Sequence, residues 1–255
     1  MIAALGMYDR PEAQASNDAL WRLIRDGLRA AGLPAPDALT RGDAAYGAGW
    51  TAPDLILSQT CGFPYRARLH GHVTLIGTPD HGLPGCPPGH YRSLFIARAD
   101  DTRASVAEFA DARFAYNDGL SQSGWAAPST YAARLGFALT PALQTGGHAL
   151  SARAVAEGRA DLATVDAVAW AMMTRYDPVT EGLRVVAQTV PTPGLPYIAA
   201  AGHNGALLFE VIAAAIAALP ARHRDILHLR GLVRIAPEAY LAVPTPRAPD
   251  QFAQG

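Results

Sequence analysis

The stretch Phe114-Ala115-Tyr116-Asn117-Asp118-Gly119-Leu120-Ser121-Gln122-Ser123-Gly124-Trp125 passes from an apolar, strand-like run into a polar turn and then into helix-forming sequence. A helix begins with N–H groups that have no intrahelical partner and that point along its axis. Ser121, Gln122, Ser123 and Gly124 can therefore offer hydroxyls and amides to the oxygens of an anion without any basic side chain. The same residues also suit a plainer role, with Ser123 capping the helix and Asn117-Asp118-Gly119 making a turn. Gln144-Thr145-Gly146-Gly147-His148 repeats the design before a second helix. There Thr145 supplies a hydroxyl, and His148 an imidazole N–H or, when protonated, a charge-assisted hydrogen bond. An exposed histidine at a helix start is the alternative. A third run, 161–168, reads as a buried strand ending at Asp166. That carboxylate either caps the next helix or accepts a proton carried by the anion, which would favour a monoprotonated oxyanion over fully ionised sulfate.

Polar groups at strand ends nearer the N-terminus, Tyr8 in Met7-Tyr8-Asp9 and Gln59 and Thr60 in Leu57-Ser58-Gln59-Thr60, stand where an opposite wall would be, although each is also an ordinary turn residue. Other chemistries find no frame. His70, His72, His81 and His90 with Cys61 and Cys86 match no short metal-ligand spacing. No nucleophile elbow, phosphate-binding glycine loop or dinucleotide fingerprint occurs. No catalytic residue, metal or cofactor is assigned.

The elements that must position these groups alternate along the chain in an α/β pattern. Strand-like runs fall at 2–7, 55–57, 73–76, 93–97, 113–116 and 162–165, and helices at about 17–31, 124–135, 149–157 and 167–174. The sheets are expected to be mostly parallel. Two Pro/Gly-rich segments, 82–89 and 191–196, each run into an apolar strand. They divide the chain into one lobe of 1–90 with 192–255 and another of 91–191, joined by two crossing strands with a ligand cleft between them. Residues from Pro246 read as a loose tail.

Half of the 255 residues are hydrophobic and the formal net charge is −1, so no global field recruits nucleic acid or an anionic membrane surface. An anion must be held by local groups. All 21 basic residues are arginine. Cys61 and Cys86 lie in turn-like contexts, so they either pair as a disulfide or remain thiols. No apolar run approaches the ~20 residues that span a bilayer. The first residues, Met1-Ile2-Ala3-Ala4-Leu5, hold no leader, which makes the protein cytoplasmic if Met1 is the native start and periplasmic if a leader was removed.

Taken in order, five segments resemble the PhnD-like phosphate, phosphite and phosphonate substrate-binding proteins of ABC transporters, within the type II periplasmic binding proteins. They are Gly89-His90-Tyr91-Arg92-Ser93 with Leu94 to Asp100, Phe114 to Asp118 with Ser121-Gln122-Ser123-Gly124, Thr145-Gly146-Gly147-His148, Ala154 to Asp161 with Val165-Asp166-Ala167, and Pro191-Thr192-Pro193-Gly194-Leu195-Pro196. The resemblance implies a two-lobed type II fold. It also implies ligand contacts from Ser121, Ser123, His148 and Asp166, capture of a small oxyanion by a monomer, and delivery to an ABC permease without any reaction. The first lobe is the least similar part. The alternative is a cytoplasmic enzyme or a sensor on the same fold, acting on a small phosphorylated or anionic metabolite.

Overall fold

The structure, a computed structural model, describes residues 1–252. In chain order the first elements are β1 (Ile2–Ala3), α1 (Pro11–Ala30), β2 (Leu55–Gln59), α2 (Gly62–Pro64), β3 (Val73–Asp80) and β4 (His90–Tyr91). There follow β5 (Ser93–Arg98), β6 (Arg113–Tyr116), α3 (Ala127–Arg134), β7 (Thr140–Gln144), α4 (His148–Ala156), β8 (Leu162–Asp166) and α5 (Ala167–Tyr176). The last part contributes β9 (Leu183–Gln188), β10 (Thr192–Pro193), β11 (Tyr197–Ala200), α6 (Gly205–Ala218), α7 (Ala221–Ile226), β12 (Gly231–Val233) and α8 (Pro237–Leu241).

Contacts divide the chain into two units, Met1–His90 with Pro193–Leu241, and Tyr91–Thr192 with the segment from Ala242. The two Pro/Gly-rich segments lie at the first two crossings. A third crossing, at Leu241 and Ala242, departs from the expected partition, which left 242–255 with the first lobe. The departure also corrects the loose tail. The Trp125 indole N–H donates to the Arg247 carbonyl at 2.9 Å, and 249–252 form a 3₁₀ turn whose Pro249 packs on Gly119. Trp125 is fully buried and needs an acceptor for that N–H, and the returning chain provides it. Residues 253–255 of the expected tail lie outside the described residues.

In the first unit the sheet order is β1-β2-β11-β3-β12, with β1 and β2 parallel and β11 antiparallel to both of its neighbours. In the second the order is β7-β6-β8-β5-β9, with β6 parallel to β7 and β8, and β5 antiparallel to β8 and β9. The sheets are thus mixed rather than mostly parallel. The reason lies in where the crossing strands enter. Tyr197 of β11 pairs with Gln59 at the end of β2, and Ser93 of β5 pairs with Asp166 at the end of β8. A strand that joins a sheet at the edge where the others finish must run back against them.

Helix α1 begins at Pro11, six residues before the helix expected from Asn17, because proline suits a first turn where its missing N–H is not needed. Its buried Leu20, Ile24 and Leu28 recur every four residues and pack with Leu208, Ile212 and Ile216 of α6. Burial of each such side chain contributes about 1.5–3 kcal/mol. In the second unit Phe95, Phe114, Leu162, Ala163 and Val165 are fully buried, and central β8 is buried on both faces.

Cys61 and Cys86 stand as thiols, the first buried and the second partly exposed, which corrects the disulfide reading. The sequence placed both beside one short strand. In the fold Cys61 follows β2 and Cys86 lies in the loop after β3, with β11 between the two strands. Alkylation without reductant is expected to modify Cys86 in the folded protein and Cys61 only after denaturation. Failure to label two thiols in denaturant would contradict the structure.

Candidate functional site

Parallel pairing of β6 with β7 and β8 brings three strand ends to one edge of the second sheet. Tyr116 lies opposite Gln144, and Ala115 opposite Ala163. The ladder continues into the turns, where Thr145 N donates to Tyr116 O and Gly146 N to Asn117 O, each at 2.9 Å. At this edge the chain leaves β6 for the serine turn, β7 for the N-terminus of α4, and β8 for the N-terminus of α5. All seven residues predicted for this unit lie in these three segments.

The serine turn is wider than an α-turn. Ala126 N donates to Ser121 O at 2.9 Å, a bond reaching back five residues, so 122–126 form a π-helical turn ahead of α3. Such turns recur at functional sites. Ser121 is the cap, accepting from Gly124 N at 2.9 Å. The plainer role expected for Ser123 therefore belongs to Ser121, and the Ser123 hydroxyl instead lies 2.9 Å from His148 Nε2. Thr164 of β8 donates to Gly124 O at 3.2 Å, tying the turn to the central strand. A Cβ on Gly124 would stand 1.7 Å from Asn117 Oδ1 and 3.2 Å from Ser121 Oγ, so only glycine fits there. Asn117 Oδ1 is buried with no hydrogen-bond partner.

At the start of α4, Thr145 Oγ1 lies 2.7 Å from Ser151 Oγ and 3.1 Å from Gly147 O, a contact that fixes the turn from within. Burial pushes the His148 imidazole down to about 4. At neutral pH it is an uncharged group, so the cationic option in the sequence reading does not hold for this state. Asp166 is almost fully buried and caps α5, with Oδ1 accepting from Val168 N at 2.6 Å and Ala169 N at 3.1 Å.

In the first unit Tyr8 follows β1 and Gln59 ends the parallel strand β2. Both line a pocket with Asn17 and His81, and the Tyr8 and His81 rings meet edge to face with centroids 5.3 Å apart. Gln59 Nε2 donates to Leu195 O at 3.2 Å. Thr60 is not part of that pocket. It is fully buried, with Oγ1 3.4 Å from Cys61 O and its N–H donating to Pro196 O at 3.1 Å. Sequence reasoning did not single out Ser151, Thr164 and His81. Ser151 falls on the inner face one turn after His148, a spacing that could have marked it. Thr164 and His81 carry no local signal.

Two α/β units, each with a mixed five-stranded sheet and joined by crossing strands, have the architecture of the two-lobed type II periplasmic binding proteins. Similar solved structures include PhnD1 from Prochlorococcus marinus in complex with methylphosphonate, at 17% identity and TM-score 0.71, covering 94% of each chain. XAC2383 from Xanthomonas citri bound to ATP has 17% identity and TM-score 0.68, covering 93% of this chain and 92% of that one. A binding protein component of an ABC phosphonate transporter (PA3383) from Pseudomonas aeruginosa has 18% identity and TM-score 0.63, covering 91% and 80%. A search of curated sequences gave no significant match. Residues 54–239 match the family described as ABC transporter, phosphonate, periplasmic substrate-binding protein. The chain belongs to that family. Among the described residues no helix is long and apolar enough to cross a membrane.

Two outcomes test this geometry. Gly124→Ala must displace Asn117 and is expected to destabilise the second unit by about 1–3 kcal/mol, the range for overpacking, measurable by denaturant unfolding. An unchanged midpoint would contradict the close approach. His148 and His81 are both pushed down to about 4 by burial, below the ordinary 6.5. The unfolded chain therefore binds protons first. The stability these neutral rings contribute is complete above pH 6.5 and declines as pH falls toward 4. His148→Gln should flatten that decline in a pH series of thermal midpoints.

Proposed function

We propose that this chain is the solute-binding component of an ABC-type uptake system and captures a small phosphorus oxyanion, phosphate, phosphite or a phosphonate, without reacting with it. The observation that carries the reading is the common edge of β6, β7 and β8, where three strand ends lead into helical N-termini and the Ser123 hydroxyl meets the His148 imidazole at 2.9 Å. Amides, Ser121, Ser123, Thr145 and His148 supply donors to the oxygens, while Gln122 and Gly124 shape the wide turn. Within the first unit, Tyr8, Gln59 and Thr60 are the groups proposed to contact a ligand. Membership of a periplasmic substrate-binding family supports delivery to a permease and a periplasmic address.

Asp166 gives the site its selectivity in this reading. Both cap bonds fall on Oδ1, and a buried carboxylate beside an anion favours a ligand that brings a proton.

Calorimetry with phosphate, phosphite, methylphosphonate and sulfate tests both parts. Ser123→Ala removes a donor and should weaken every ligand by about 1–3 kcal/mol. Asp166→Asn keeps a residue that caps as well as aspartate does, so the fold should persist. Protonated ligands should lose affinity, while sulfate gains it or is unaffected. Equal weakening of phosphate and sulfate would reduce Asp166 to a cap. No binding of any of the four by the unaltered protein would overturn the function itself.

A further inference from the structure

A cleft of about 380 Å³ in the first unit, at the end of α7, is separate from the serine turn and takes no part in the reading above. His81, Arg224, Asp225, His228 and Arg230 line it. Several arginines face carboxylates, as Arg41 does Asp9, Arg113 does Asp161 and Arg234 does Glu210. Arg224 and Arg230 have no such partner among the described residues.

The backbone around them is specialised. Gly82 has φ of +57°, and a Cβ there would lie 2.1 Å from Arg230 Nε, so the guanidinium stem rests directly on the loop. Helix α7 ends in a paired-bond cap, with Leu229 N donating to Arg224 O at 2.9 Å and His228 N to Asp225 O at 3.2 Å. The residue at its left-handed position is usually glycine. Here it is His228, at φ 48° the one non-glycine residue with positive φ among those described. A side chain is kept where glycine would cost less. The His228 carbonyl in turn holds His81 Nδ1 at 3.0 Å, and His81 is the residue shared with the Tyr8 and Gln59 pocket.

We propose that this cleft is a second oxyanion site, which takes a ligand with two adjacent anionic groups, of the pyrophosphate type. Two guanidinium forks, one lying across Gly82 and one on α7, suit two neighbouring phosphoryl groups, since each fork can donate a bidentate pair. The Asp225 carboxylate offsets one positive charge, so a singly charged anion gains little there. The imidazole of His228 adds a donor from the turn between the two arginines.

Titration calorimetry of the whole chain with sodium pyrophosphate at constant ionic strength provides the test. Arg224→Ala with Arg230→Ala is expected to weaken pyrophosphate binding at least tenfold, while the affinity for inorganic phosphate stays unchanged. Removing the same charge elsewhere, by Arg22→Ala with Arg153→Ala, should leave pyrophosphate binding unchanged. His228→Gly is expected to raise the ligand-free thermal midpoint yet weaken pyrophosphate several-fold, a combination that a purely structural turn would not produce. The proposal is overturned by absent pyrophosphate binding, by equal loss in the control pair, by a loss of inorganic phosphate affinity in the arginine pair as large as that of pyrophosphate, or by unaltered affinity in His228→Gly.

Discussion

The parallel pairing of β6 with β7 on one side and β8 on the other is the constraint on which the second unit depends. A strand's side chains alternate between faces, so a one-residue slip would turn Phe114 out of the core and carry the turns that follow out of line. Small residues hold the register close to its helix. Ala115 and Ala163 on the sheet meet Ala152, Ala154 and Val155 of α4, and such short side chains let the helix approach the strands closely. That approach sets where the first residue of α4, His148, stands relative to Ser123.

Electrostatically the edge works with dipoles and hydroxyls. Net charge is −1, and none of the seven residues placed there is basic. The helical N-termini are fixed by Ser121 on the wide turn, which accepts from Gly124 N, and by Asp166 on α5, which accepts from Val168 N and Ala169 N. Burial that keeps His148 neutral has the same effect, because a neutral ring need not be desolvated as a cation before it meets a ligand. The cleft beside α7 uses the other strategy, formal charge on arginine forks.

Each crossing strand enters its sheet beside the site residues. Ser93 pairs with Asp166, and Tyr197 with Gln59. A change of direction at the start of β5 or β11 is therefore transmitted through one backbone pair to a residue of the candidate site.

Much of this was legible in the residues themselves. The apolar run of β6, the buried run of β8, the glycine-containing serine turn and the two Pro/Gly-rich junctions are local patterns, and local patterns set where elements begin and end. Strand direction is not local: β11 reads as one more apolar strand, and only its entry at the finishing edge of β2 makes it antiparallel. The cap passed from Ser123 to Ser121 because a bond spanning five residues opened the turn, and Ser123 then met a histidine far along the chain. The charge state of His148 followed from burial, which depends on everything packed around it. The third crossing likewise waited on Trp125, whose buried N–H found its acceptor at Arg247. Propensity and spacing act within a few residues, whereas pairing, desolvation and the satisfaction of buried donors are properties of neighbours that only the folded chain brings together.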